Sequence, residues 1–327
     1  MNKFISYVMA MMFLIFANLT FAGETATLKP EAWNKMDIKI VQGDIPEIQA
    51  IANQATLPIP QHPYATVDTA ALAMWDGGEF WANLVLGSLV GAVVIFTLFT
   101  IINGPVKLTK GFSGVKIPRW SKADIIFHWV GAISCLSLIV TGILIACGRF
   151  LIADNMGADN WGAFIQNTVS THNLMSFPFI FGWLIMVVKW ANKQFPSQGD
   201  LNWFKSLGGY INFGSLKGKH PDAGFANAGE KLWFWCFTLF GGVLVVTGIS
   251  MMFPALFEFA KGTMNWMLVL HIGSASIIGV FTVVHVFMAT IISEGGMEGM
   301  VSGYCDENWA KEHHNLWYND LKKAGKA

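Results

Sequence analysis

The stretch Asn265–Ile292 reads NWMLVLHIGSASIIGVFTVVHVFMATII. It holds no Asp, Glu, Lys or Arg, and at 1.5 Å per residue it is long enough to cross a bilayer. Two histidines interrupt it, His271 and His285. At 100° per residue their spacing leaves them about 40° apart around a helix, so both lie on one face. The rise between them is roughly 21 Å, most of a hydrocarbon core about 30 Å thick. One helix therefore presents an imidazole near each side of the membrane, both pointing the same way.

Working outward, four more apolar spans precede this one, at about 81–102, 123–148, 171–190 and 232–253. With 54% hydrophobic and only 13% charged residues, the chain has the composition of a membrane protein. This excludes a soluble or nucleic-acid-binding protein, and a net charge of zero adds no field for a polyanion. Cys135, Cys147, Cys236 and Cys305 form no C-x-x-C or C-x-x-C-H, which argues against covalent c-type haem and cysteine-held clusters. The many Trp and Phe suit interfacial belts and large cofactor faces, although ordinary packing accounts for most of them. No internal repeat or low-complexity segment stands out.

Residues 1–22 carry Lys3, the apolar run Ile5–Phe16 and Thr20-Phe21-Ala22 before Gly23, the pattern of a secretory signal cleaved after Ala22; an uncleaved first helix is the alternative. Residues 23–79 are mixed and polar, with Pro58, Pro60 and Pro63 marking irregular chain, and are expected on the periplasmic side. The loop after the first span holds Lys107, Lys110, Lys116, Arg119 and Lys122. The loop after the third holds Lys189, Lys193, Lys205, Lys217, Lys219 and Lys231, while the opposite loops contribute only Arg149 and Lys261. The positive-inside rule places the basic loops and the C-terminus in the cytoplasm.

This topology sorts the histidines. His128 opens the second span near the cytoplasm, and His172 opens the third near the outer surface. His271 is then outer and His285 inner. Two pairs follow, His172 with His271 outside and His128 with His285 inside. Single membrane histidines can bond neighbouring helices, but four at matched depths, two of them in helical register, point to function. Neutral imidazole ligates iron while a porphyrin fills apolar space, so the pattern asks for two stacked b-type haems. Zinc or di-iron would need clustered ligands, usually with carboxylates, and no Asp or Glu lies near these histidines within the spans. Gly131, Gly273, Ser274 and Gly279 either let a porphyrin approach the backbone or allow close helix packing. His62, His220, His313 and His314 lie in loops or the tail and read as solvated. Before the fourth span, Asn227 and the backbone at Gly229 offer hydrogen-bond donors for a quinone carbonyl; Asn227 reads equally as a helix N-cap.

From about Ser121 to Tyr318 the chain resembles the gamma subunit, a cytochrome b, of respiratory membrane-bound formate dehydrogenase. The resemblance lies in Ala123-Asp124-Ile125-Ile126-Phe127-His128-Trp129, in Asn227-Ala228-Gly229-Glu230-Lys231, in the His271–His285 pair and in the tail Asn308–Tyr318. It implies an all-α integral membrane protein with a four-helix di-haem cytochrome b bundle over 121–292; one extra N-terminal transmembrane helix and a basic loop over 80–120 depart from the family's short form. Residues 293–327 form a cytoplasmic tail. The resemblance further implies haem ligands His128, His172, His271 and His285, and a quinone site at Asn227, Gly229 and His285. The quinone is menaquinone or ubiquinone. The implied partners are a molybdenum or tungsten catalytic subunit and a four-cluster iron–sulfur subunit facing the periplasm. Electrons would pass inward across the bacterial inner membrane to quinone, in anaerobic respiration, with no formate-oxidising site on this chain. The cytochrome b of a membrane hydrogenase is the nearest rival; a haemless transporter or assembly anchor is another.

Overall fold

A computed structural model of the protein describes residues 78–257, 259 and 261–326. The expected signal segment, most of the polar segment 23–79 and His62 lie outside the described residues. Five long helices carry the apolar spans: α1 (Gly78–Asn103), α2 (Lys122–Leu151), α3 (Ala158–Trp190), α4 (Ala228–Met252) and α5 (Lys261–Phe287). All five are long and apolar enough to cross a membrane, which makes the chain a mostly helical integral membrane protein.

Their ends follow from local chemistry. Ser121 caps α2 through a capping box with Asp124, and Asn227 caps α4 through the same device with Glu230. α3 begins at Ala158, thirteen residues before the expected start of its span. The added turns are polar, and Thr168, Ser170 and Thr171 return their hydroxyls to carbonyls one turn back. Such turns are invisible to an apolar-run criterion, so His172 lies inside a helix rather than at its opening. α5 runs on into a π-helical turn, Met288–Ile292.

Packing of the bundle rests on small residues. A side chain at Gly182 of α3 would meet the Gly131 backbone of α2 at 2.8–2.9 Å, so these helices touch backbone to backbone. Gly279 of α5 faces Leu89 of α1, with only 2.7 Å available to an added carbon. Gly131 and Gly279 thus serve helix packing, whereas nothing lies within 4 Å of an added carbon at Gly273. α1 lies against α5 and α2, with Phe96 beside Phe287 and the Cys147 thiol directed to the Ala82 carbonyl at 3.5 Å.

The short segments at one end, 152–157 and 253–257, leave Phe253 and Leu256 exposed, with Phe150 and Leu151 exposed beside them. At the other end three longer segments, 104–121, 191–227 and 293–326, fold together into a polar layer. There β1 (Lys116–Pro118) pairs antiparallel with β2 (Tyr304–Asp306). Asp306 accepts from the Ser113, Gly114 and Asn308 backbone, and Asn103 bonds Tyr210 and Asn212. Helices α6 (Glu307–His313) and α7 (Asn315–Lys323) complete the layer.

Candidate functional site

The four histidines come together as two pairs. His172 of α3 faces His271 of α5 with ring centres 6.3 Å apart, and His128 of α2 faces His285 of α5 at 6.4 Å. An imidazole nitrogen binds a metal at about 2 Å and lies about 1 Å from its own ring centre, so two rings sharing one iron stand about 6 Å apart. Both pairs have this separation, and neither ring touches its partner. Among the described residues no group of three or more His, Cys, Asp or Glu could hold a metal, so the donor set is two imidazoles per site. That set suits a six-coordinate haem iron whose other four ligands come from a porphyrin, and not tetrahedral zinc.

The pairs sit at different depths. His128 lies six residues into α2 and His285 two residues from the end of α5, both near the polar layer. His172 lies about 27 Å from the layer end of α3 at 1.5 Å per residue. Between the pairs the interior is filled by Cys135, Phe179 and Ile278, with Phe237 and Phe240 packed against them.

Their surroundings differ in kind. Thr141 Oγ1 lies 2.8 Å from His172 Nδ1, and Thr247 Oγ1 lies 2.9 Å from His271 Nδ1. Each threonine donates its own hydroxyl proton to a carbonyl one turn back, Ser137 at 2.8 Å and Val243 at 2.7 Å. Its lone pair is therefore left to accept from Nδ1–H, which fixes the tautomer and leaves Nε2 free as a metal ligand. A glycine follows each threonine: an added carbon would lie 3.7 Å from His172 Cε1 at Gly142 and 3.3 Å from His271 Cε1 at Gly248. These four residues were not anticipated from the sequence. Their signal is a short echo, Val140-Thr141-Gly142-Ile143 in α2 and Val246-Thr247-Gly248-Ile249 in α4, which a search for long repeats passes over.

Among the described residues the His128–His285 pair has no such hydroxyls. His128 Nδ1 is buried without a hydrogen-bond partner, and the His285 ring makes no hydrogen bond among the described residues. Indoles flank them instead: Trp190 stacks on His128 at 6.5 Å and Trp233 on His285 at 5.3 Å. Trp190 is itself held by Asp124 Oδ1, to which its Nε1 donates at 2.9 Å, and Lys189 pairs with the same oxygen.

The quinone candidates lie at the start of α4. Asn227 Oδ1 accepts from the Glu230 backbone at 2.9 Å, and a Glu230 carboxylate oxygen accepts from Asn227 N at 3.0 Å. Asn227 is thus an N-cap, while its amide NH2 makes no hydrogen bond among the described residues. Gly229 N–H lies in the first turn, where an α-helix supplies no internal acceptor. The ring of Trp203 covers Gly229, leaving 2.6 Å for an added carbon. One turn on, Trp233 reaches His285.

The tail histidines correct the sequence reading. His313 and His314 are buried, not solvated, and His220 is largely covered against Glu312 at 3.2 Å. Hydropathy places them outside the membrane, but the layer's own fold removes them from water. Burial, reinforced by His314, His220 and Arg119, pushes His313 down to about 3. His314 is held well below the ordinary range by burial and by Arg119, although its Nδ1–H donates to the Gly224 carbonyl at 2.8 Å. Arg119 is enclosed by Trp309, Phe225, Trp317 and Trp120 and pairs with Glu230 at 3.2 Å, which ties the layer to the first turn of α4.

Comparison with known proteins agrees with this geometry. The profile of the prokaryotic cytochrome b561 family matches residues 119–303, more than half of the chain. The cytochrome b556(Fdn) subunit of the nitrate-inducible formate dehydrogenase of Escherichia coli K12 is 30% identical over 43% of this chain; the chain spans 64% of that subunit's length. The cytochrome b556(fdo) subunit of the same organism is 25% identical over 64% of this chain and 94% of its own. The formate dehydrogenase cytochrome b556 subunit of Haemophilus influenzae is 30% identical over 60% of this chain and 79% of its own. With five apolar helices as its frame, the chain belongs to the prokaryotic cytochrome b561 family of haem b-binding membrane proteins, with formate dehydrogenase cytochrome b subunits among its relatives.

Proposed function

We propose that this chain is the membrane-anchor cytochrome b subunit of a formate-oxidising respiratory complex. It holds two b haems, an outer one between His172 and His271 and an inner one between His128 and His285. The observation that carries this reading is the pair of 6.3 and 6.4 Å imidazole separations at two depths of one bundle. Bound haem supplies a one-electron couple at each depth. The chain's residues fix each imidazole's orientation and exclude water from it.

The basic loops belong to the polar layer, so the positive-inside rule puts that layer in the cytoplasm and the short segments 152–157 and 253–257 in the periplasm. The electron donor is a periplasm-facing iron–sulfur subunit of the complex, joined to a molybdenum or tungsten subunit that oxidises formate. Quinone, menaquinone or ubiquinone, is reduced on the cytoplasmic side. Asn227's free amide and Gly229 N–H donate to its carbonyl next to the Trp233–His285 stack, and protons enter from the cytoplasm. Inward electron movement with proton consumption inside builds membrane potential, about 2.3 kcal/mol per charge per 100 mV.

The test is an optical difference spectrum of membranes containing the protein and its partners, reduced in turn with formate, hydrogen and dithionite. A b-type band with formate is the expected result. A band with hydrogen but not formate would assign the chain to a hydrogenase, and no band with dithionite would remove the haem reading.

A further inference from the structure

Thr141 and Thr247 form a matched pair of devices that, beyond fixing the tautomer of each outer ligand, place an oxygen acceptor at its Nδ1. At the inner pair, His128 Nδ1 is buried without a partner. Yet both outer ligands have one, supplied by the same tetrapeptide on two different helices. Neither threonine touches the inner pair. Both are buried at 0–2% exposure, so their oxygens are set in a low-dielectric interior where a hydrogen bond has its full electrostatic effect.

We propose that Thr141 and Thr247 are positioning residues that hold the outer iron at a lower reduction potential than the inner one. This rests on the di-haem reading above. Accepting from Nδ1–H draws the proton away from the ring and makes the imidazole a stronger donor to iron. A stronger donor stabilises the ferric over the ferrous state, which lowers the potential. The inner imidazoles, with no hydrogen-bond acceptor at their far nitrogens among the described residues and indoles on their faces, are the weaker donors. Haem bound between His172 and His271 would supply a one-electron couple there, while both threonines keep their bonds and each Nδ1 keeps its proton. Quinone is the final acceptor. The chain then builds the inward direction of transfer into the hydrogen bonds from His172 and His271 to their threonines, in addition to the fall from donor to quinone.

The test is an equilibrium redox titration of the b-type α band in the full complex. Wild type should show two components of unequal potential. Thr141→Val and Thr247→Val replace the hydroxyl by a methyl of the same shape. Each should raise the lower component alone, the double variant should raise it further, and Thr→Ser should restore it. A lower component that does not move, or movement of the upper one, overturns the assignment. If valine removes the outer haem, Thr→Ala carries the same titration; loss of haem from both, with serine intact, makes the threonines structural and also overturns it. Absence of any b-type band in wild type would defeat the di-haem reading itself, a distinct outcome.

Discussion

The two histidine pairs share one helix and nearly one spacing, but they are supported in opposite ways. The outer pair is held inside the bundle by hydroxyls and glycines of α2 and α4. The inner pair is flanked by indoles, and the two beside His128 have their own partners at or in the polar layer. Trp190 bonds Asp124, and Trp129, next to His128, donates to the Met300 carbonyl at 2.7 Å. The outer pair is thus braced from within the bundle, while the inner pair is joined to a folded polar layer. Bracing within the bundle suits a carrier that only passes electrons. Connection to the layer suits a site where a substrate and protons must arrive.

The largest effects should separate the pairs outright. His172→Ala and His128→Ala should each remove one haem, about half of the dithionite-reduced b-type absorbance. Only His172→Ala should abolish formate-dependent reduction of the haem that remains. His128→Ala should keep a formate-reducible haem and lose quinone reduction. Normal formate-to-quinone flux in either variant would break the comparison.

The layer predicts a second, smaller difference. His313 has a folded pKa of about 3 against an ordinary 6.5, so in this window the unfolded state binds more protons than the folded one. His314 shifts in the same direction. The stability this contributes is complete above about pH 6.5 and is lost as pH falls toward 3. Asp306 adds to the loss at the acid end: burial raises its pKa, but the Ser113, Asn308 and Gly114 backbone donors outweigh burial and hold it below the carboxylate range. On acidification, hydrogen exchange over residues 304–318 should rise well before exchange around Thr141 and Thr247. Simultaneous loss of protection at both would mean that the bundle and the layer are one cooperative unit.

What was legible in the sequence was whatever has a long period or a strong composition. The spans, the shared face of His271 and His285, and the pairing of His172 with His271 and His128 with His285 all follow from helical rise and loop charge. What was not legible depends on tertiary neighbours. His313 and His314 sit in a segment too polar to look buried, and their burial exists only because β1, α6 and the 219–225 loop close around them. Thr141 and Thr247 look like ordinary span threonines until α3 and α5 bring a histidine to each. The early start of α3 escaped because polar helical turns have no apolar run.

At the start of α4 the comparison can be sharpened further, because Asn227 combines a cap with a free amide. Asn227→Ser keeps a good N-cap and removes the amide donor. Loss of one neutral hydrogen bond to quinone should slow its reduction about five- to tenfold, with both haems still fully reducible and thermal stability nearly unchanged. Asn227→Ala should add a stability loss of about 1 kcal/mol from the lost cap. Unchanged quinone kinetics in the serine variant would reduce Asn227 to its capping role.

The smallest expected effect lies within the outer pair. Gly142 and Gly248 follow the two threonines, but they do not crowd their histidines equally. An added carbon at Gly248 would stand 3.3 Å from His271 Cε1, tight enough to push the ring, while at Gly142 it would stand 3.7 Å from His172 Cε1, an ordinary contact. Gly248→Ala should therefore tilt the His271 ring, disturb its bond to Thr247 and shift the outer haem's spectrum, with the inner haem unchanged. Gly142→Ala should be nearly silent by the same low-temperature optical measurement. Equal shifts would mean that the glycines act through helix flexibility. A shift in the inner component would mean that α5 passes strain from His271 to His285, and the two pairs would then be less separate than their surroundings make them.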